Sequence, residues 1–106
     1  MELRTIEASD TVLTLELNGN LDADGSRSAQ PHIDQIIADQ SHSEVEIDFE
    51  KVTFLDSSGV GAIVYLYKRL VERERNMRIE NVKGQPLEIM TLLRINQAIP
   101  VNSHKY

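Results

Sequence analysis

"VTFLDSSGVGAIVYLYKRL" spans Val52 to Leu70 and sets four small turn-forming residues, Asp56-Ser57-Ser58-Gly59, between two apolar segments. Val60, Ile63, Val64, Tyr67, Leu70 and Val71 recur at three- and four-residue intervals, which predicts a helix starting near Ser57 with those side chains inward. At such a joint the first N–H groups of the helix have no carbonyl partner, and an aspartate or serine side chain accepts hydrogen bonds from them. Capping alone accounts for Asp56, Ser57 and Ser58. It does not account for Gly59 and Gly61, each of which costs a helix about 1 kcal/mol relative to alanine. Two glycines so early in the helix imply that something approaches its backbone closely.

Upstream, "EVEIDF" (residues 44–49) alternates Val45, Ile47 and Phe49 with acidic residues and predicts a strand with one buried face. Glu2 to Glu7 and Thr11 to Leu17 predict a hairpin joined through "EASD". "NGNLDADGSRSAQ" then breaks the alternation before Ile33, Ile36 and Ile37 return at helical spacing. This predicts a helix from about Ser28 to Gln40, with Ser28 as N-cap and Pro31 confined to the first turn, where a missing N–H does no harm.

Downstream, Lys68, Arg69, Glu72, Arg73 and Arg75 gather toward the end of the second helix, where basic side chains suit its dipole and Lys68 can pair with Glu72. "MRIENV" (77–82) predicts a strand, and "KGQPLEIMTLLRI" a short helix with Pro86 at its first position and Leu87, Met90 and Leu93 inward. Met77 and Met90 read as core filler. Pro100 confines "AIPV" to an edge strand or none, and "NSHKY" reads as a frayed tail. Strands alternating with helices predict an α/β fold: a mixed, mainly parallel sheet with an antiparallel N-terminal hairpin, flanked by helices.

Residues 1–106 are the length of one domain. With no cysteine, disulfides, thiol chemistry and cysteine-based metal sites are excluded. No leader pattern opens the chain and no apolar run is long enough to span a bilayer, so a cytoplasmic protein is expected. Eleven basic against 17 acidic residues give a net charge of −6, which argues against nucleic acid or an anionic membrane as a direct partner. His32, His42 and His104 are scattered and read as surface histidines, with no metal or cofactor site implied. Of Tyr65 and Tyr67, one must point away from the core and can meet a partner.

The joint itself excludes one chemistry and argues against a second, which His32 or His42 could serve only through tertiary folding. A P-loop needs a lysine after its second glycine, where "SSGVGAIV" has alanine and isoleucine. A serine nucleophile needs an elbow of the GxSxG type and a histidine base, and "FLDSSGV" has neither nearby, so no enzyme is expected. A hydroxyl that is acted upon remains. The dipole and free N–H groups at a helix N-terminus favour an added phosphate by about 0.3–1 kcal/mol, while Asp56 opposes it.

"VEIDFEKVTFLDSSGVGAIVYLYKRL" resembles the central signature of STAS domains, the sulfate-transporter and anti-sigma-factor-antagonist family, and "LNGNLDAD" is similar to that family's entry to its first helix. The resemblance implies a docking face formed by Asp56, Ser58, Gly59, Val60 and Gly61. It implies that Ser57, directly after the aspartate, is phosphorylated by a serine kinase that doubles as an anti-sigma factor, with Ser58 as the second choice. A metal-dependent serine phosphatase would reverse this. The alternative implied is a constitutive subunit of a lipid or solute transport assembly. Family members often carry a final helix that this chain has little room for, and an apolar face left uncovered would favour self-association.

Overall fold

Four segments whose apolar side chains alternate with polar ones build one sheet with a buried face and a polar face. The computed structural model describes residues 1–103. In chain order the elements are β1 (Glu2–Glu7), β2 (Val12–Leu21), α1 (Ala23–Ala38), β3 (Glu44–Leu55), α2 (Ser57–Glu72), β4 (Asn76–Glu80), α3 (Gly84–Leu92) and a short 3₁₀ turn, Ile95–Gln97. Strand order is β1-β2-β3-β4, with β1 antiparallel to β2 and the other pairs parallel. This is the mixed sheet with an N-terminal hairpin that the alternation predicts. Leu15, Leu17, Val45, Ile47, Phe49 and Ile79 are almost fully buried and meet Ile33 and Ile36 of α1 and Ile63, Leu66 and Leu70 of α2.

The opposite sheet face is a ladder of charges. Arg78 reaches Glu44, Glu46 (3.1 Å) and Glu80 (3.2 Å), while Thr14 Oγ1 donates to Glu46 at 2.8 Å. Glu16 pairs with Arg4 at 3.3 Å and with Lys51 at 3.8 Å. Hydrogen bonding to Glu44 raises the Arg78 pKa further above its ordinary value, against the opposing effect of burial. Among the described residues no helix follows the 3₁₀ turn; this sheet face presents charge, and the exposed apolar side chains near the turn are Leu92 and Leu93 at the end of α3.

Several boundaries differ from the sequence reading. Helix α1 begins at Ala23 with Asp22 as N-cap, not at Ser28, so Pro31 lies in the helix interior. Pro31 is exposed there; it removes one N–H from the ladder and sets its ring against the carbonyl four residues back, that of Arg27. Strand β3 runs on to Leu55, past Phe49, because two bulges opposite Leu17 and between Gly19 and Asn20 break the two-residue period without ending the pairing. Inside α2 Leu66, absent from the expected stripe, is fully buried together with Leu70, whereas Val71 is half exposed. Leu93, expected inward, is also exposed, since α3 ends at Leu92. Arg69, not Lys68, pairs with Glu72, at 3.2 Å. Val101 makes a single parallel bridge to Ile79, as far as Pro100 allows.

His42 is buried rather than on the surface, and its Nε2 lies 2.9 Å from Glu7 Oε1, tying the loop after α1 to the edge strand. His32 is half-buried on α1, and His104 lies outside the described residues, as does most of the tail read as frayed. Arg75 is not part of α2. It is buried beyond the helix end, where Nε donates to His42 O (2.7 Å) and Nη1 to Ile36 O (2.8 Å). A guanidinium thus caps the C-terminal carbonyls of α1, where the dipole favours positive charge. Burial lowers its pKa from the ordinary value, partly offset by the Asp39 carboxylate. Replacing it with methionine, Arg75→Met, leaves those carbonyls without donors and should lower stability by about 2–4 kcal/mol in urea unfolding.

Candidate functional site

Strands β2 and β3 end side by side, with Leu21 paired to Leu55, and each leads directly into a helix. The two joints share one sequence pattern, Leu21-Asp22-Ala23-Asp24-Gly25 and Leu55-Asp56-Ser57-Ser58-Gly59. In each the aspartate is the N-cap and its carboxylate accepts from the glycine three residues on: Gly25 N at 2.8 Å from Asp22 Oδ1, Gly59 N at 3.0 Å from Asp56 Oδ1.

The glycines answer a packing demand. A Cβ on Gly59 would stand 2.1 Å from Leu21 O and 2.6 Å from Leu55 Cδ1; on Gly25 it would stand 2.2 Å from Asn20 O. What approaches the backbone of α2 so closely is therefore the end of β2. Gly61 differs, being exposed with nothing within 4 Å of where a Cβ would be.

Ser57 and Ser58 are both exposed, and neither hydroxyl has a hydrogen-bond partner among the described residues. Asp56 is half-buried, its carboxylate turned to Gly59 N. Val60 is only 8% exposed, so it supports this surface from beneath and does not present its side chain to a partner. Tyr65 is the outward tyrosine, with the Arg69 guanidinium 5.9 Å from its ring centre, and Tyr67 is half-buried. At helical spacing Ser58, Gly61, Tyr65 and Arg69 form one continuous stripe on the outer side of α2.

The joint is held from its other side by residues that the sequence reading passed over. Strand β4 stops opposite Asp48, and the chain beyond it supplies side chains in place of a strand. Asn81 Nδ2 donates to Asp48 Oδ1 (3.0 Å), Lys83 Nζ meets Glu50 Oε1 (3.2 Å), and the Gln85 carboxamide bonds both backbone groups of Leu55. The spacing of Asn81, Lys83 and Gln85, every second residue, was the available signal. Among the described residues no three histidine or carboxylate side chains gather to hold a metal.

A family model of the STAS domain matches residues 4–105. The chain belongs to the STAS family. Its fold is shared with SpoIIAA, an anti-sigma factor antagonist and Bacillus cell fate determinant. The unphosphorylated form gives a TM-score of 0.79 at 17% identity over 94% of this chain and 87% of that one, and the phosphorylated form 0.73 at 17% over 94% and 90%. An anti-sigma factor antagonist from Mycobacterium paratuberculosis gives 0.83 at 20% identity, over 97% and 87%. A sulfate transporter family protein from Wolinella succinogenes gives 0.73 at 14%, over 86% and 76%. No helix of this STAS domain, among the described residues, is long and apolar enough to cross a membrane.

The two glycines of the STAS joint should separate cleanly. Gly59→Ala forces backbone against backbone and is expected to lower stability by about 3 kcal/mol or more. Gly61→Ala removes only a helix penalty and should raise it by up to about 1 kcal/mol. Denaturant midpoints of the two variants measure both.

Proposed function

We propose that this STAS domain is a non-enzymatic, cytoplasmic interaction switch of the anti-sigma-factor-antagonist kind, set by phosphate on Ser57. One observation carries the reading. The α1 joint forms the same cap and the same close contact with Ala23 and Asp24 in the positions of Ser57 and Ser58, so the fold does not require those hydroxyls. Two exposed, unbonded serines at a joint that works without them are available for chemistry.

Ser57 is the acceptor because it follows the cap aspartate directly, the position that matches the family motif; Ser58 is the second choice. Its oxygen would attack the γ-phosphorus of a nucleoside triphosphate held by the partner serine kinase. The new O–P bond replaces the bond to the departing diphosphate, and the hydroxyl proton passes to a base on the kinase. A metal-dependent serine phosphatase would return phosphate to water. The modification takes the net charge from −6 to about −8. Its charge arrives beside Asp56 and the neighbouring Asp22 cap, so it changes what the surface repels more than how firmly the domain folds. Asp56, Ser58, Gly59 and Gly61 frame the contact surface, with Val60 beneath, and the open side of Gly61 lets a partner approach the helix backbone. That SpoIIAA has been solved with and without phosphate supports the reading.

The Wolinella sulfate transporter relative favours a second reading, a constitutive subunit of a lipid or solute transport assembly. There the joint would be contact surface alone. Intact-mass spectrometry of the protein isolated from its native cells distinguishes the two. The switch predicts one added phosphate, lost in Ser57→Ala and kept in Ser58→Ala. Co-purification with a permease and its ATPase, unaffected by phosphatase treatment and with no phosphate on the protein, would establish the second.

A further inference from the structure

Strand β3 outruns its neighbour on one side. Its pairing with β4 ends at Asp48↔Glu80, yet β3 continues to Leu55, and only β2 accompanies it there. Backbone groups alternate sides along a strand. Asp56 N donates toward β2, to Leu21 O at 3.4 Å, so the N–H and C=O of Leu55 face the side where β4 is missing. Leu55 itself is fully buried, and two unpaired backbone groups there would be costly. Gln85 meets both of them: its Oε1 accepts from Leu55 N at 2.9 Å and its Nε2 donates to Leu55 O at 2.7 Å. One carboxamide performs the part of one residue of a strand.

We propose that Gln85 is a positioning residue for phosphoryl transfer to Ser57, its carboxamide clamping Leu55 so that the hydroxyl two residues on is presented at a fixed place. The proposal rests on the reading of Ser57 given above. The physical case is lever-like. The Leu55–Asp56–Ser57 backbone is anchored toward β2 by Leu21 O and by the Gly59 contact, and toward α3 by the two Gln85 hydrogen bonds. Gln85 is held in turn by the first turn of α3, whose Pro86 and Met90 are buried and whose entry at Gly84 takes a left-handed φ of 59°. Ser57 and Ser58 are adjacent and both exposed, so selecting one over the other depends on backbone placement. In-line attack on phosphorus tolerates little displacement of the attacking oxygen.

Gln85→Glu tests this with minimal change of shape. A carboxylate can still accept from Leu55 N but cannot donate to Leu55 O. Gln85→Ala removes both bonds, and Glu88→Gln, on the exposed side of α3, serves as control. Each full-length variant is expressed in the native host. Site-resolved mass spectrometry reads the phosphate on Ser57 and on Ser58, and amide hydrogen exchange is followed across residues 55–60.

For Gln85→Glu the expected result is a severalfold fall in Ser57 phosphate and a rise in the share on Ser58. Exchange at Asp56, Gly59 and Val60, whose N–H groups are hydrogen-bonded at this joint, should be about tenfold faster, the factor that one or two ordinary hydrogen bonds control. A role in stability alone would lower Ser57 phosphate with none appearing on Ser58, and would count against the proposal. Should Gln85→Ala not fold, the isosteric variant still decides. An unaltered Ser57:Ser58 ratio and unaltered Ser57 phosphate in a folded Gln85→Glu protein would overturn the proposal. A wild-type protein with no phosphate on either serine would overturn the switch reading first and this proposal with it, whatever the exchange rates show.

Discussion

The closest constraint in the molecule is the contact of two helix N-termini with the end of β2. Gly25 lies against Asn20 O and Gly59 against Leu21 O, at separations that admit no side chain. Because these contacts fix where α1 and α2 leave the sheet, they also fix where the paired caps Asp22 and Asp56 stand and which residues are lifted into solvent. Core packing beneath the helices follows from that exit geometry. Val60 and Ile63 on α2 can bury only because the first turn is seated so low.

Two nearly identical joints side by side make the domain its own comparison. Both need an apolar strand end, an aspartate, two residues of any kind that suits a helix, and a glycine. The α1 joint fills the two free positions with alanine and aspartate, the α2 joint with serines. The difference between them is what the fold leaves unspecified, and it falls at two exposed positions of the α2 entry. The opposite sheet face, with Arg78 shared among Glu44, Glu46 and Glu80, shows a different use of charge, satisfied within the domain.

The α2 joint was legible in the sequence because strong apolar segments flank it, and its helix starts where the capping residues say it should. The α1 joint has the same pattern, yet its periodicity reads as a loop, and only the family resemblance marked "LNGNLDAD" as the entry to a helix. Pro31 suggests a helix start nearby, and the preceding asparagines and glycines look like a break, whereas tertiary contact carries β2 through them to Leu21. The second half of β3 was hidden for a related reason: bulges erase the two-residue period without ending the pairing. Arg75, His42 and Gln85 could not be placed because their roles depend on carbonyls and carboxylates more than 25 residues away in the chain. Gly59 was correctly marked as a point of close approach. Gly61 was marked with it and has open space instead.

Grafting one joint onto the other tests the separation of fold from function most directly. The double substitution Ser57→Ala with Ser58→Asp turns the α2 joint into a copy of the α1 joint. The account predicts a thermal midpoint within about 2 °C of wild type, together with complete loss of phosphate from the protein isolated from its native cells. A graft that unfolds the domain would show that the hydroxyls are structural. A graft that keeps both fold and phosphate would place the modification elsewhere and contradict the account.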